Sequence, residues 1–174
     1  DYSGESQGLV ADFSAGVQIT VGPGNVDTLD SIENIIGTAF DDEIGGSDED
    51  NLLVGGDGND LLRGGGGNDR LDGGAGLNDI ADFSGVSASV YIDMASAPDA
   101  EGFISAIIGG GVEVDRIINI ENIMGSEFDD TLLGNEQTQT LRGGDGNDLI
   151  EGRGGDDILA GGEGDDTING GAGL

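Results

Sequence analysis

A nine-residue pattern repeats along this chain and constrains its fold more than any other feature. It reads Gly-Gly-x-Gly-x-Asp-x-(Leu/Ile)-x, and its clearest copies are residues 55–63, 64–72, 143–151 and 161–169. Weaker copies extend it into two runs, which begin at Gly37 and Gly125. A period of this kind is typical of a parallel β-solenoid. In such a fold each nonapeptide supplies one short strand and one glycine turn, and two nonapeptides complete a coil.

A longer repeat encloses the nonapeptides and divides the chain into two modules. Ser-Ile-Glu-Asn-Ile-Ile-Gly at 31–37 matches Asn-Ile-Glu-Asn-Ile-Met-Gly at 119–125, and Phe-Asp-Asp follows both. The predicted modules are 1–81, with a strand segment at 1–36 and nonapeptides at 37–81, and 82–174, with a strand segment at 82–124 and nonapeptides at 125–174. We predict an all-β protein, a right-handed parallel β-roll or β-solenoid with glycine-aspartate loops.

The segments before the nonapeptides also predict strands. Residues 10–21 and 86–94 alternate apolar and polar side chains, so we expect them to continue the solenoid or to cap it. Residues 31–36 fit either a strand or one helical turn, since Ile32 and Ile35 are three residues apart. We favour the strand.

Two positions of the nonapeptide carry its chemistry. Counted from Gly37 and Gly125, the sixth position is Asp in seven copies: Asp42, Asp60, Asp69, Asp130, Asp148, Asp157 and Asp166. The same count places Asn51, Asn78 and Gln139 there in other copies, where we do not expect full sites. The eighth position is always Leu or Ile, including Ile80 in the last copy of the first module, and we expect it to point into the core.

The charge of the chain excludes several classes of partner. There are 36 acidic and 5 basic residues, a formal net charge of −31. Such a chain does not neutralise the phosphates of nucleic acid, and an anionic membrane surface repels it. No stretch is apolar enough to span a bilayer and no signal peptide is recognisable, so we expect no membrane insertion by this segment. The pattern stops mid-repeat at residues 170–174, and we therefore expect a piece of a longer protein. We also expect a monomer.

The repeat needs a cation. One buried Leu contributes roughly 1.5–3 kcal/mol, whereas ordering the backbone costs roughly 1–2 kcal/mol per residue. Calcium fits, because it takes six to eight oxygen ligands with flexible geometry. The chain has no His and no Cys, which softer metals prefer, and without Cys it forms no disulfide. We predict several calcium ions, roughly four to eight, each held between loops of nonapeptides n and n+2.

The predicted calcium ligands are of two kinds. The sixth-position carboxylates are the first. The second are backbone carbonyl oxygens of the glycine-rich turns, near Gly56, Gly58, Gly65, Gly67, Gly144, Gly146, Gly155, Gly162 and Gly164. Glycine is needed there because the turn visits backbone angles closed to other residues and brings the chain close to the ion.

These nonapeptides resemble the RTX family, the hemolysin-type calcium-binding repeats of secreted bacterial proteins. The linking pattern, Asp-Phe-Ser followed later by Ile-Glu-Asn-Ile-x-Gly, also looks like segments of large RTX proteins. The resemblance implies type I secretion, an unfolded state in the calcium-poor cytosol and folding outside the cell. This chain departs from the pattern at Asn51, Asn78 and Gln139.

Three functions are compatible with the sequence. The first is a calcium-dependent structural module of a larger extracellular adhesin, toxin or hydrolase, with no catalysis of its own. The second is a surface that recognises polysaccharide or ice. Ice binding is disfavoured, because the third loop position carries no ladder of Thr. The third is an enzyme acting on polysaccharide, which we consider less favoured because every well-placed Asp already has a calcium role.

Overall fold

The computed structural model of the chain describes residues 1–13, 18–22, 25–28 and 32–173. Within these residues the secondary structure consists of eighteen short strands. They are β1 (Leu9–Asp12), β2 (Gln18–Val21), β3 (Asn25–Thr28), β4 (Asn34–Ile36), β5 (Glu43–Gly45), β6 (Leu52–Asp57), β7 (Leu61–Arg63), β8 (Arg70–Ala75), β9 (Ile80–Asp82), β10 (Val90–Asp93), β11 (Ile104–Ile108), β12 (Glu113–Ile118), β13 (Asn122–Met124), β14 (Thr131–Leu133), β15 (Thr140–Asp145), β16 (Leu149–Glu151), β17 (Ile158–Glu163) and β18 (Thr167–Asn169).

The strands form two stacked sheets of nine strands each, as expected for a β-roll. The first sheet has the order β17-β15-β13-β9-β7-β5-β1-β2-β3, and the second has the order β18-β16-β14-β10-β11-β12-β8-β6-β4. Successive nonapeptide strands alternate between the sheets, and neighbours within a sheet are parallel. The predicted all-β roll of glycine-aspartate loops is confirmed.

The eighth position fills the space between the sheets. Strands two nonapeptides apart pair with an offset of 18 residues, as in Ile44 with Leu62 and Leu132 with Ile150, and these four side chains are fully buried. Because successive coils place their apolar residue at the same height, one cluster of buried side chains runs from Leu9 to Ile150. In the last coil Leu159 is partly buried against this cluster and Ile168 is 47% exposed, so the prediction that the eighth position points into the core is wrong for Ile168.

The fifth nonapeptide of the first module departs from the expected count. Leu61 pairs with Ile80 and Leu62 with Ala81, an offset of 19 residues. Ala81 is therefore the buried core residue, and the prediction that Ile80 takes this position is wrong. The extra residue lies in the turn, where Leu77 is 83% exposed.

The segments before the nonapeptides form antiparallel strands that belong to the same sheets. β1, β2 and β3 follow one another antiparallel at one end of the first sheet. β10, β11 and β12 do the same inside the second sheet, between β14 and β8. Residues 34–36 form a strand, as favoured, whereas residue 31 lies outside the described part.

Both sheets pass through the junction between the modules. β9 of the first module pairs in parallel with β13 of the second, with Ile80 opposite Asn122. β8 of the first module pairs in parallel with β12 of the second, with Leu71 opposite Ile117. The two modules are therefore consecutive parts of one solenoid with one core.

Candidate metal centres

The glycine-rich turns stack in two rows, one along each side of the solenoid. The first loop row contains the turns that lead into the first sheet: residues 37–42, 55–60, 73–79, 134–139 and 152–157. The second loop row contains the turns that lead into the second sheet: residues 46–51, 64–69, 125–130, 143–148 and 161–166. This places the loops of nonapeptides n and n+2 against each other, as predicted.

A ladder of hydrogen bonds links the sixth positions along each row. The backbone N–H of Asp42 donates to Oδ1 of Asp60 at 2.8 Å, and that of Asn51 donates to Oδ1 of Asp69 at 2.8 Å. In the second module the N–H of Asp130 donates to Oδ1 of Asp148, also at 2.8 Å. Each sixth-position Asp thus fixes the backbone of the coil before it with one carboxylate oxygen.

Five of the described Asp residues have a second carboxylate oxygen, Oδ2, that is buried and has no hydrogen-bond partner. They are Asp60, Asp69, Asp79, Asp148 and Asp157. A buried carboxylate oxygen without a donor or a cation carries a large desolvation cost. Because the same oxygen is left over in loop after loop, it marks the face of each carboxylate that suits a metal ion.

In several loops the first glycine lies where a carboxylate oxygen and a carbonyl oxygen converge. A Cβ added to Gly37 would overlap Oδ2 of Asp42 in its own loop and the carbonyl oxygen of Gly55 in the loop stacked on it. A Cβ on Gly125 would meet Oδ2 of Asp130 and the carbonyl of Gly143 in the same way. A carboxylate and a carbonyl from two stacked loops therefore face one point. This is the donor set that calcium prefers.

The nine glycines predicted to lie near the ions all have positive φ. The values range from +97° at Gly65 to +130° at Gly164. A side chain at Gly56 would also collide with the carbonyl oxygen of Thr38, 18 residues earlier. These positions need glycine both for backbone conformation and for the close approach of stacked loops. Which of their carbonyl oxygens bind an ion stays a prediction.

Without a cation, burial disfavours the ionised form of these carboxyl groups. Burial, together with the charge of neighbouring carboxylates, raises the pKa of Asp60 and of Asp69 to about 7. The hydrogen bond that each accepts from a backbone N–H lowers the pKa, but by less than burial raises it. Burial also raises the pKa of Asp115 to about 6. The pKa values of Asp79, Asp130 and Asp148 rise for the same first reason. A divalent cation at these oxygens would reverse the shift and keep the carboxylates ionised.

The structure gathers five of the seven predicted Asp residues in fully formed loops: Asp42, Asp60, Asp69, Asp130 and Asp148, each buried. Asp157 and Asp166 occupy the same position in the last coil and are partly exposed. Asn51 and Gln139 keep the hydrogen bonds of the ladder without a carboxylate. That these two loops form incomplete calcium sites stays a prediction.

Sequence reasoning missed an acid in the fifth nonapeptide. The N–H of Asp60 donates to Oδ1 of Asp79 at 2.8 Å, so Asp79 takes the sixth position that was assigned to Asn78. That assignment was wrong because the loop has one additional residue. The signal that could have found it is the dipeptide Asn-Asp, which closes the loops at Asp60, Asp69 and Asp148 and recurs at Asn78-Asp79.

Two more acids were missed because they lie outside the nonapeptide runs. The N–H of Asp69 donates to Oδ1 of Asp115, in β12, at 2.9 Å. The N–H of Asp79 donates to Oε2 of Glu121 at 3.0 Å. Both acids continue a loop row across the junction between the modules.

The metal chemistry of the loops depends on the backbone. In the described residues no group of three acidic side chains lies close enough to hold a metal by itself. One or two carboxylates with carbonyl oxygens and water are a suitable shell for calcium, but not for metals that need His or Cys.

Comparison with known families agrees with this geometry. The RTX calcium-binding nonapeptide repeat, in four copies, matches residues 45–80, 119–148 and 142–173, just over half of the chain. The chain belongs to the RTX family. None of the curated proteins matches it.

Membership of the RTX family confirms the sequence resemblance and the calcium-binding character of the repeats. RTX repeats bind calcium, and proteins that carry them are typically secreted. Within the residues that the structure describes, no helix is long and apolar enough to cross a membrane.

Proposed function

We propose that this chain is a structural module that folds when it meets extracellular calcium, within a larger secreted bacterial adhesin, toxin or hydrolase. The observation that carries the proposal is the set of buried, unpartnered carboxylate oxygens in both loop rows, at Asp60, Asp69, Asp79, Asp148 and Asp157. Without a cation each of them opposes folding. With one, the same oxygens tie consecutive coils together.

The energetics suit a switch between cell interior and exterior. Extracellular calcium modules typically bind with Kd of about 10⁻⁴–10⁻³ M. At a calcium concentration about tenfold above Kd, each site that exists only in the folded state adds about 1.4 kcal/mol to the free energy of unfolding. Several such sites add up to the whole stability of an ordinary domain, about 5–15 kcal/mol.

We propose a monomeric scaffold without catalytic turnover. The acids that catalysis would require, such as Asp42, Asp60 and Asp130, are buried in loops and already accept hydrogen bonds from backbone N–H groups. A screen against glycans would separate this scaffold from a polysaccharide-recognising surface.

The test is a calcium titration of the purified chain, followed by far-ultraviolet circular dichroism, with magnesium as control. We expect a change from a disordered to a β-rich spectrum near millimolar calcium and little change with magnesium, because magnesium demands stricter octahedral geometry and retains its waters. A β-rich spectrum that persists in chelator would contradict calcium-dependent folding.

A further inference from the structure

The first loop row does not stop where the nonapeptides of the first module end. Its last loop in that module, residues 73–79, is covered by Asn119–Glu121, the three residues between β12 and β13. These residues begin the Asn-Ile-Glu-Asn-Ile segment and contain no glycine. They nevertheless stand where the loop of the next coil would stand.

Glu121 reproduces the sixth-position acid of a nonapeptide. Its Oε2 accepts the N–H of Asp79 at 3.0 Å, as Asp60 accepts the N–H of Asp42. In return the carbonyl oxygen of Asp79 accepts the N–H of Glu121 at 3.2 Å and that of Asn122 at 2.9 Å. The carboxylate of Glu121 is therefore held against the loop of Asp79.

The backbone carbonyl oxygen of Asn119 takes the place of the carbonyl oxygen that the first glycine of a stacked loop supplies elsewhere in the row. A Cβ on Gly73 would collide with the carbonyl oxygen of Asn119 and lie 2.8 Å from Oδ2 of Asp79. This is the convergence found at Gly37, where the carbonyl comes from Gly55. Asn119 reaches the position with φ of +54°, a conformation that Asn tolerates better than most residues, and its Nδ2 donates to Oδ1 of Asp72 at 2.8 Å.

The remaining oxygen of Asp79 points to a ligand. Asp79 is completely buried, and its Oδ2 has no hydrogen-bond partner. We infer that Asp79, Glu121 and the carbonyl oxygen of Asn119 form a calcium site that joins the last loop of the first module to the first residues after β12. This inference depends on the proposed calcium binding of the chain. The part of the site in residues 119–121 lies outside the nonapeptides.

The second loop row shows what such a site requires. There Asp115 continues the ladder by accepting the N–H of Asp69, but the three atoms nearest to a Cβ on Gly64 all belong to Asp69. A carboxylate is present, but no carbonyl oxygen of the next coil is among the three atoms nearest to the added Cβ. The inference is therefore confined to the first loop row.

The test is the number of calcium ions bound per chain, measured by equilibrium dialysis at a calcium concentration that just saturates the wild type. Glu121→Gln keeps an oxygen for the N–H of Asp79 and removes the charge, so we expect about one ion fewer with an unchanged β-rich spectrum. The matched control is Glu33→Gln, at the equivalent exposed position of the first module, which should leave the number unchanged.

A second variant keeps the test decisive if Glu121→Gln does not fold. Asp79→Asn should lose at least one ion while its loop persists, because Asn51 already occupies this position in a loop that keeps its backbone hydrogen bonds. A wild-type number of ions in the folded variants would overturn the inference. A wild type that binds no calcium would instead refute calcium-dependent folding.

Discussion

Replacing Asp69 with Asn should change stability in opposite directions with and without calcium. Asp69 is completely buried; its Oδ1 accepts the N–H of Asn51 and its Oδ2 has no partner. Asn keeps the accepting oxygen and removes the charge. In chelator the variant loses the unfavourable burial of a negative charge, whereas in calcium it loses a calcium ligand.

The magnitude in chelator follows from the pKa of this carboxyl. Burial raises it from 3.8 to about 7, with Asp115, Asp50 and Glu113 adding repulsion. Ionising the group at neutral pH therefore lowers the free energy of unfolding by up to about 4 kcal/mol, or about 1–3 kcal/mol after allowance for nearby solvent. After subtracting about 1 kcal/mol for a buried amide without an acceptor, we expect the free energy of unfolding to rise by up to about 2 kcal/mol.

In calcium the sign reverses. The variant lacks one charged ligand, so a site that adds about 1.4 kcal/mol at a tenfold excess of calcium over Kd is weakened or lost. Urea denaturation at neutral pH, followed by circular dichroism, measures both states; trimethylamine N-oxide, which favours compact states, brings the calcium-free transition into range.

The reverse substitution is the control. Asn51→Asp places a carboxylate at the same position one coil earlier, 18 residues away in the same ladder. It should destabilise the calcium-free fold and strengthen calcium binding. If Asp69→Asn proved less stable than the wild type in both media, the argument that an uncompensated charge opposes folding would be refuted.

Three further predictions follow from the same loops and core. In chelator with trimethylamine N-oxide, acidification should stabilise the fold. The buried carboxyls have pKa values of up to about 7 when folded and near 3.8 when unfolded, so the stability that their protonated form contributes is fully present below about pH 4 and is lost as the pH rises through 7. A series of urea transitions at different pH would show this change. Gly56→Ala should lower the free energy of unfolding in calcium by about 2–4 kcal/mol, because φ is +123° and the methyl group meets the carbonyl of Thr38. Gly85→Ala is the control, since no atom lies within 4 Å of the added Cβ, and its stability in the same urea experiment should be close to that of the wild type. Leu62→Ala should cost about 2–5 kcal/mol by leaving a cavity between the sheets, whereas Leu77→Ala, at an 83% exposed side chain, should leave the thermal midpoint nearly unchanged.

The regular part of this protein was predictable because each side chain in the repeat has one physical task. The eighth-position residues fill the core, the sixth-position acids face the stacked loops, and glycine permits the turn. Counting by nine identifies them wherever the loops have equal length. It located Asp42 and Asp130 in equivalent loops of the two modules. The structure gives both the same hydrogen bond to Oδ1, from the backbone N–H of Leu9 and of Val90.

The count fails where the backbone changes length. The additional residue near Leu77 shifts the sixth-position residue from Asn78 to Asp79, as the pairing of Leu61 with Ile80 and the hydrogen bond from Asp60 to Asp79 show. Counting by nine could not identify Asp115 and Glu121 for a different reason. Asp115 lies in β12 and Glu121 follows that strand, so both come after the antiparallel strands β10 and β11, and no local period spans these strands.

The hydrogen-bond ladder gives the array a polarity. The N–H of Asp42 finds its acceptor on Asp60, and the N–H of Asp130 finds its acceptor on Asp148, so every coil is completed by the coil that follows it in sequence. Removing a coil from the carboxyl side leaves a backbone amide without its acceptor, whereas removing one from the amino side leaves a carboxylate without its donor. Because a carboxylate can still take up calcium and an amide cannot, the two ends of such an array respond unequally to shortening.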